Sequence, residues 1–198
     1  MFIQTASSTL IHPPSNTQYP VLRTPNLDLR QITTADRADL YELFSHPDVM
    51  RFSPLEPVSG FNEVDTMIRD WRDQFQQGTA MQWAVTVNHS SERLIGLCGF
   101  SELDCEGRVG RVHYYLHPMY WRHGLMTQAL AAVVRYGFGT LNLNRIDCWI
   151  SLENFAASGL LEVVGFKSEQ IVRQGCHWKG GDHDMELYAR LRRSILGH

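Results

Sequence analysis

The chain alternates short apolar runs with amphipathic stretches, a pattern that predicts strands mixed with helices. In the N-terminal third, alternating apolar and polar residues predict a strand at Leu27 to Ile32. Apolar residues spaced by three or four then predict two helices. The first follows an N-cap at Thr34 and ends at His46-Pro47, and the second runs roughly from Phe61 to Gln76.

The middle of the chain predicts three strands. Trp83 to Val87 and Leu94 to Phe100 are joined by a polar turn, and Arg111 to Leu116 follows a second turn. Gly96 and Gly99 in the second of these strands indicate a bulge or a close approach of another backbone.

The C-terminal part predicts two further helices and three strands. One helix follows Gly124 and ends near Gly137 and Gly139, and the other is bounded by Asn154 as N-cap and Gly165 as stop. The strands are predicted at Leu143 to Ser151, Phe166 to Arg173 and Met185 to Leu191, with a Gly-rich hairpin at Gly175 to Gly181. The pattern predicts an α/β domain around one sheet.

The first 22 residues show no sustained periodicity and contain Pro13, Pro14 and Pro20. We interpret residues 1–22 as an N-terminal arm, either flexible or docked on a neighbouring subunit, and residues 23–198 as the folded domain.

Size and charge narrow the class of protein. A chain of 198 residues suffices for one domain with a substantial core. The net charge of −3 argues against nucleic-acid binding as the main function. The first residues lack a signal-peptide pattern, and no apolar run approaches the roughly 20 residues that span a membrane, so the expected location is the cytoplasm.

The cysteines and histidines show no metal-binding spacing. Cys98, Cys105, Cys148 and Cys176 form no C-x-x-C pair, and the nine histidines form no zinc-like cluster. We therefore expect free thiols and no metal.

The segment from Tyr114 to Leu130, YYLHPMYWRHGLMTQAL, carries the most informative motif. It predicts a strand, a Pro-containing turn and a helix introduced by Gly124. A helix N-terminus offers free backbone N–H groups and a positive dipole end to an anion. The segment is either a phosphate-binding loop or a structural turn, since a glycine before a helix serves both.

This segment resembles the coenzyme A loop of the GNAT N-acetyltransferases, in the branch of the ribosomal-protein N-terminal acetyltransferases. The branch shows Tyr-Trp, two variable residues, Gly, one variable residue, a small residue and then Thr-Glu-Ala. This chain has Tyr120-Trp121, Gly124 and Thr127-Gln128-Ala129. Segments similar to the family's opening strand and helix, late helix and final strand lie at Arg23 to Phe52, Asn154 to Phe166 and Asp184 to Leu191.

The resemblance implies a single-domain GNAT fold: a mixed, mostly antiparallel central sheet flanked by helices, with strands that splay apart at the acetyl-CoA site. It implies an acetyl-CoA-dependent enzyme that acetylates a primary amine, either a protein N-terminus or a small molecule, by direct attack in a ternary complex. Dimers are common in the family, so a homodimer is a further expectation.

The resemblance also implies which residues hold the cofactor. Backbone groups near Leu116 and His117 would bind the pantetheine arm, and a loop of seven residues would hold the pyrophosphate, with Asn154 and Ser158 near the thiol. The loop residues are Trp121, Arg122, His123, Gly124, Leu125, Met126 and Thr127. Met126 replaces a usually small residue, so its side chain either points away from the pyrophosphate or obstructs it.

Catalytic and acceptor residues follow less directly. Ser158 is the candidate for protonating the thiolate, although a helical serine also bonds to its own backbone. Relatives carry a glutamate where this chain has Arg111, so His113 is the first candidate base, Glu102 the second and Asp184 the third. The acceptor residues implied by the resemblance are Arg51, Phe52 and Tyr115.

Two functions remain open at this point. One is the N-acetyltransferase, and the other is a non-catalytic acyl-CoA-binding or regulatory module that has lost turnover together with the glutamate.

Overall fold

The computed structural model describes residues 19–88 and 92–192. The described strands are β1 (Leu22–Arg23), β2 (Leu27–Gln31), β3 (Met81–Val87), β4 (Leu94–Asp104), β5 (Val109–Leu116), β6 (Arg145–Ser151), β7 (Lys167–Trp178) and β8 (Gly181–Leu191). The described helices are α1 (Arg37–Ser45), α2 (Pro47–Met50), α3 (Phe61–Gln77), α4 (Leu125–Gly139) and α5 (Phe155–Val164).

The described strands form one sheet in the order β1-β2-β3-β4-β5-β6-β8-β7. Neighbouring strands run antiparallel except β5 and β6, which run parallel. The predicted mixed, mostly antiparallel sheet is therefore confirmed. Its parallel pair is connected through α4, as a parallel crossover requires.

Helices pack on both faces of the sheet and bury its apolar side chains. Phe100 and Leu130 belong to the larger core cluster, which α4 and α5 cover, whereas Phe44 and Ile68 belong to a second cluster beneath α1 and α3. Burial of both faces explains why the central strands read as nearly continuous apolar runs.

Helix ends follow local chemistry. Asn154 Oδ1 accepts a hydrogen bond from the Ala157 N–H at 3.2 Å, and Gly165 ends α5 with φ 91°. Both predicted signals are confirmed. The predicted N-cap at Thr34 is wrong by one residue: the Thr33 N–H donates to Asp36 at 2.8 Å, which stabilises a 3-10 turn ahead of α1.

Several predicted boundaries shift because of tertiary contacts. Gly137 does not end α4 but lies inside it, where a Cβ would come within 2.7 Å of the Phe100 ring. The glycine therefore permits close packing of helix on sheet. The hairpin predicted over Gly175 to Gly181 is mostly strand, and the chain turns only at Lys179 and Gly180, which have φ 49° and 75°.

The domain includes residues before position 23. The Tyr19 ring lies 4.5 Å from the Phe75 ring, and Trp83 Nε1 donates to the Pro20 carbonyl at 2.8 Å. Residues 1–18, most of the predicted arm, lie outside the described residues. No described helix is both long and apolar enough to cross a membrane.

Candidate active site

A groove opens where β5 and β6 separate. The two strands pair only from Val109–Arg145 to Arg111–Asp147. Beyond this point residues 112–116 and 148–151 diverge and line an open groove of about 930 Å³. The predicted splayed strands are therefore confirmed.

The separation leaves backbone groups of β5 without a strand partner. The His117 N–H donates to the Ile95 carbonyl of β4 at 2.9 Å. Because an antiparallel strand alternates the direction of its N–H groups, those of Leu116 and Tyr114 point away from β4 and into the gap. A ligand threaded between the strands can bond to them.

The N-terminus of α4 lines the groove. Gly124 precedes the helix with φ 70°, and no described side chain caps it. The N–H groups of Leu125, Met126 and Thr127 have no intrahelical partner, because the first turn of a helix leaves them unpaired. All three residues line the groove. Together with the helix dipole they form a site for an anion such as a pyrophosphate.

Two contacts set the shape of the loop ahead of α4. Trp121 Nε1 donates to the Leu116 carbonyl at 2.7 Å, which ties the loop to β5. Arg122 adopts a left-handed backbone conformation with φ 64°. The Met126 side chain packs in the larger core cluster and is only 5% exposed. It therefore points away from the anion site and does not obstruct it.

Residues that follow α2 also line the groove. The Arg51 guanidinium lies 5.0 Å from the centre of the Phe52 ring. Ser53 Oγ accepts from the Leu55 N–H at 3.1 Å and lies 3.3 Å from the Tyr115 hydroxyl. Ser53 was not predicted from the sequence, because a serine in a Pro-rich turn carries no signal of being buried.

His113 lines the groove on β5. Its Nε2 lies 2.8 Å from Gln82 Oε1, and burial lowers the pKa of the imidazole to about 4. A histidine in such an environment stays neutral at pH 7. The sequence predicted a near-neutral pKa for His113, and the lower pKa makes this histidine a much weaker base than predicted.

The other two base candidates lie outside the groove. Glu102 is exposed and forms an ion pair with Arg111 at 2.6 Å. Asp184 accepts from the Gln174 N–H at 2.9 Å and pairs with Arg173. These contacts, the Gln174 hydrogen bond first, lower the pKa of Asp184. Asp184 holds a bulge of β7 in place, which is a structural role.

The predicted thiolate donor is also directed elsewhere. Ser158 Oγ donates to the Phe155 carbonyl at 3.0 Å, within its own helix, and Ser158 does not line the groove. Its helical neighbours Ala157 and Gly159 do. The assignment of Ser158 as thiolate donor therefore stays a prediction, and its hydroxyl bonds within α5 in this structure.

Tyr114 instead presents a hydroxyl between β5 and α5. It lines the groove, and its oxygen lies 3.5 Å from the Ala157 carbonyl, at the outer limit of a hydrogen bond. Burial raises the pKa of Tyr114, so the hydroxyl keeps its proton. Strand alternation, which places Tyr114 on the face opposite His113, is the signal that could have identified it.

The groove thus collects most of the predicted residues and omits several. Those that line it are Arg51, Phe52, His113, Tyr115, Leu116, Trp121, Arg122, Gly124, Leu125, Met126, Thr127 and Asn154. Those that do not are Glu102, His117, His123, Ser158 and Asp184. The His117 ring turns toward α1, where Nε2 lies 3.2 Å from a Glu42 carboxylate oxygen.

Covalent catalysis by cysteine is disfavoured. Cys148 lines the groove, but burial raises the pKa of its thiol to about 12. A protonated thiol is a poor nucleophile. Among the described residues, no group of three or more His, Cys, Asp or Glu could hold a metal ion.

Comparison with known proteins places the fold and groove in a family. Residues 26–167 match the family model described as acetyltransferase (GNAT) domain. The chain belongs to this family. The predicted acetyltransferase class and acetyl-CoA as co-substrate, which GNAT enzymes use, are thereby confirmed.

Relatives of this GNAT protein cover most of its length. The uncharacterized N-acetyltransferase YoaA of Bacillus subtilis (strain 168) is 32% identical over 174 residues, 88% of this chain and 98% of YoaA. The uncharacterized N-acetyltransferase p20 of Bacillus licheniformis is 30% identical over 89% of this chain and 98% of p20. The structure of RimL, a ribosomal L7/L12 alpha-N-protein acetyltransferase in complex with coenzyme A, superimposes with a TM-score of 0.80 at 19% identity, covering 87% and 98% of the two chains.

Proposed function

We propose that the protein transfers an acetyl group from acetyl-CoA to a primary amine, either a protein N-terminus or a small-molecule amine, by direct attack in a ternary complex. The observation that carries the proposal is the shape of the groove. The N-terminus of α4, the side chains that follow α2 and the β5 backbone beyond its pairing with β6 all line this one groove. This arrangement can hold a thioester and an amine side by side, which supplies much of the rate of acyl transfer.

The residues that would hold acetyl-CoA are those of the α4 N-terminus and the gap. The N–H groups of Leu125, Met126 and Thr127 would bind the pyrophosphate. The Leu116 N–H would bond to the pantetheine arm or the acetyl carbonyl, and a donor there polarises the carbonyl. Acetyl-CoA supplies an acetyl thioester whose carbonyl carbon the amine attacks.

The overall reaction balances without a net change in protons. The amine nitrogen bonds to the acetyl carbon and loses one proton, and the carbon–sulfur bond breaks as sulfur gains one. Tyr114 is suited to donate a hydrogen bond to the departing sulfur, because its hydroxyl is protonated and weakly held. His113 is suited to accept a hydrogen bond from the amine, because its ring is neutral.

The name of one structural neighbour supports protein N-termini as a class of acceptor. RimL carries the name of a ribosomal L7/L12 alpha-N-protein acetyltransferase. Protein N-termini therefore belong in the acceptor panel, beside polyamines and amino acids. A free N-terminal amine has a pKa near 8, so a fraction is already neutral at pH 7 and only a weak base is required.

The deciding experiment measures release of CoA from acetyl-CoA with each amine of the panel, alongside calorimetric binding of acetyl-CoA. Amine-dependent release supports the transferase and identifies the acceptor. Binding of acetyl-CoA without release on any amine would favour the alternative, a non-catalytic acyl-CoA-binding or regulatory module.

A cytoplasmic location and a homodimer stay predictions. Light scattering of the purified protein, with and without acetyl-CoA, measures the oligomeric state directly.

A further inference from the structure

Three residues on adjacent strands form a row that leads into the groove. Gln82 on β3 is the cross-strand partner of Gly99 on β4, and Gly99 is the partner of His113 on β5. Because the middle residue has no side chain, the side chains of the outer two meet across it. A Cβ at Gly99 would lie 2.6 Å from Gln82 Oε1 and would block the contact.

Hydrogen bonding determines how the Gln82 amide is oriented. Its nitrogen donates to the Phe100 carbonyl at 2.7 Å, and that carbonyl can only accept. The amide oxygen must therefore face His113. Gln82 is 4% exposed, and its own carbonyl accepts from the Tyr19 hydroxyl, so the residue is held at both backbone and side chain.

The orientation of Gln82 dictates the tautomer of His113. An amide oxygen only accepts, so His113 Nε2 must carry the hydrogen that it donates across 2.8 Å. In a neutral imidazole the other nitrogen is then an acceptor with a free lone pair. Within residues 19–88 and 92–192, His113 Nδ1 has no hydrogen-bond partner.

We propose that Gln82 is a positioning residue, which holds His113 as the neutral Nε2–H tautomer so that Nδ1 accepts a hydrogen bond from the acceptor amine. The inference rests on the proposed function and adds a residue to it. An amine whose N–H bonds to Nδ1 has its lone pair left free to attack the thioester. In the opposite tautomer, Nδ1 would carry a hydrogen and could not accept a hydrogen bond from the amine.

The surroundings of His113 favour a neutral ring. Its nearest aromatic neighbour is Tyr115, with ring centres 5.6 Å apart, and Arg111 lies two residues before it on the same strand face. Arg111 is a cation, and no carboxylate bonds to the imidazole among the described residues. Among the described residues, no anion therefore stabilises an imidazolium.

The test compares Gln82→Met with a control on the same strand. Gly99→Ala is unsuitable, because its Cβ would also lie 2.2 Å from the Met81 carbonyl and the protein could fail to fold. Gln82→Met removes the amide and keeps the length of the side chain. Thr86→Val is the control, because Thr86 is equally buried and donates to the Asp28 carbonyl at 3.0 Å without contacting His113.

Two readouts are needed. Nitrogen-15 NMR of histidine-labelled protein, with the His113 signals assigned by their loss in His113→Ala, reports which ring nitrogen carries the proton. Steady-state kinetics with the acceptor and with acetyl-CoA report the effect on turnover. For the wild-type protein we expect a protonated Nε2 and an unprotonated Nδ1.

In Gln82→Met we expect a mixture of tautomers, a fall in kcat/KM for the amine of about tenfold, and an unchanged KM for acetyl-CoA. A tenfold effect is smaller than the roughly hundredfold or greater effect expected for His113→Ala, since general acid–base groups contribute that much. Thr86→Val should lower the melting temperature similarly without changing tautomer or kinetics.

Each contrary outcome identifies which proposal fails. A wild-type His113 protonated on Nδ1 overturns the positioning role, as does a Gln82→Met enzyme with kinetics equal to those of Thr86→Val. Absence of wild-type turnover on every amine would instead overturn the proposed function.

Discussion

At the scale of single residues, the chemistry of the groove depends on which hydrogen bonds each polar side chain has already made. The Ser158 hydroxyl donates to the Phe155 carbonyl of its own helix, whereas the Tyr114 hydroxyl lies 3.5 Å from the Ala157 carbonyl, a long hydrogen bond. His113 has one nitrogen bonded to Gln82 and one without a partner among the described residues. A polar group can act on a ligand only with the donors and acceptors that the fold leaves over.

We predict that His113 makes stability depend on pH. Its pKa is about 4 in the folded protein against 6.5 for an unperturbed histidine, so between these values the unfolded chain binds more protons than the native one. The free energy of unfolding should therefore rise with pH across this window, by up to about 3 kcal/mol. Urea unfolding of wild type and His113→Gln from pH 4 to 7 measures the difference. Parallel curves for the two proteins would contradict the prediction.

We predict opposite outcomes for two hydroxyls near the expected position of the cofactor thiol. Tyr114→Phe should lower kcat about tenfold to a hundredfold, the worth of one hydrogen bond to a charged group. Ser158→Ala should leave kcat unchanged, because its hydroxyl bonds to the Phe155 carbonyl. Rates at saturating acetyl-CoA decide between them, and a large loss in Ser158→Ala alone would restore the serine as the candidate.

At the scale of elements, the N-terminus of α4 lines the groove and the later part of the helix packs on the sheet. Its N-terminus begins at a left-handed Gly124 and leaves N–H groups free in the groove. Further along, Gly137 brings the helix close to Phe100 of the sheet, which fixes the position of that N-terminus relative to β5. A binding site made of backbone atoms depends on such placement more than on side-chain identity.

We predict that the same substitution at the glycine before α4 and at the last glycine of α4 will have opposite effects on stability. Gly124→Ala meets no atom within 4 Å but forces an alanine to φ 70°, which costs roughly 1–2 kcal/mol and weakens acetyl-CoA binding. Gly139→Ala, in open space at the helix end, should stabilise the protein by up to about 1 kcal/mol. Urea unfolding and titration with acetyl-CoA check both, and equal effects at the two sites would refute the role given to Gly124.

At the scale of the whole molecule, the β7–β8 hairpin lies at one edge of the sheet and contacts the end of α2. The hairpin tip carries Lys179, whose ammonium donates to the Met50 carbonyl at the end of α2. The segment that follows α2 contains Arg51, Phe52 and Ser53 of the groove wall. The hairpin therefore supports, from a distant part of the chain, the segment that we propose to bind the acceptor.

We predict that loosening this contact affects the acceptor and not the cofactor. Lys179→Met removes the hydrogen bond to Met50 and should raise KM for the amine about threefold to tenfold, as expected for one hydrogen bond. KM for acetyl-CoA should not change. Lys167, the other lysine of the chain, is exposed at the start of β7, and Lys167→Met is the matched control. A rise in both KM values would mean that the hairpin supports the fold in general.

Local sequence signals predicted the elements and missed the contacts between them. Asn154 and Gly165 bound α5 as predicted, because capping needs only neighbouring residues. The extent of β7 was underestimated, since the ladder with β8 continues past a bulge that Asp184 holds by bonding to Gln174. The four-residue helix α2 and the buried Ser53 had no periodic pattern that could predict them.

The sequence by itself indicated most of the strands and helices in their order, the helix that follows Gly124 and the resemblance to the GNAT family, because periodicity, caps and motifs depend on residues that are close in the chain. Only the tertiary structure decided which candidate residues share the groove and in what state. Gln82 and His113 are 31 positions apart and on different strands, yet their contact sets the tautomer. A pKa or a free hydroxyl depends on burial and on partners that folding brings together, and no local pattern contains them.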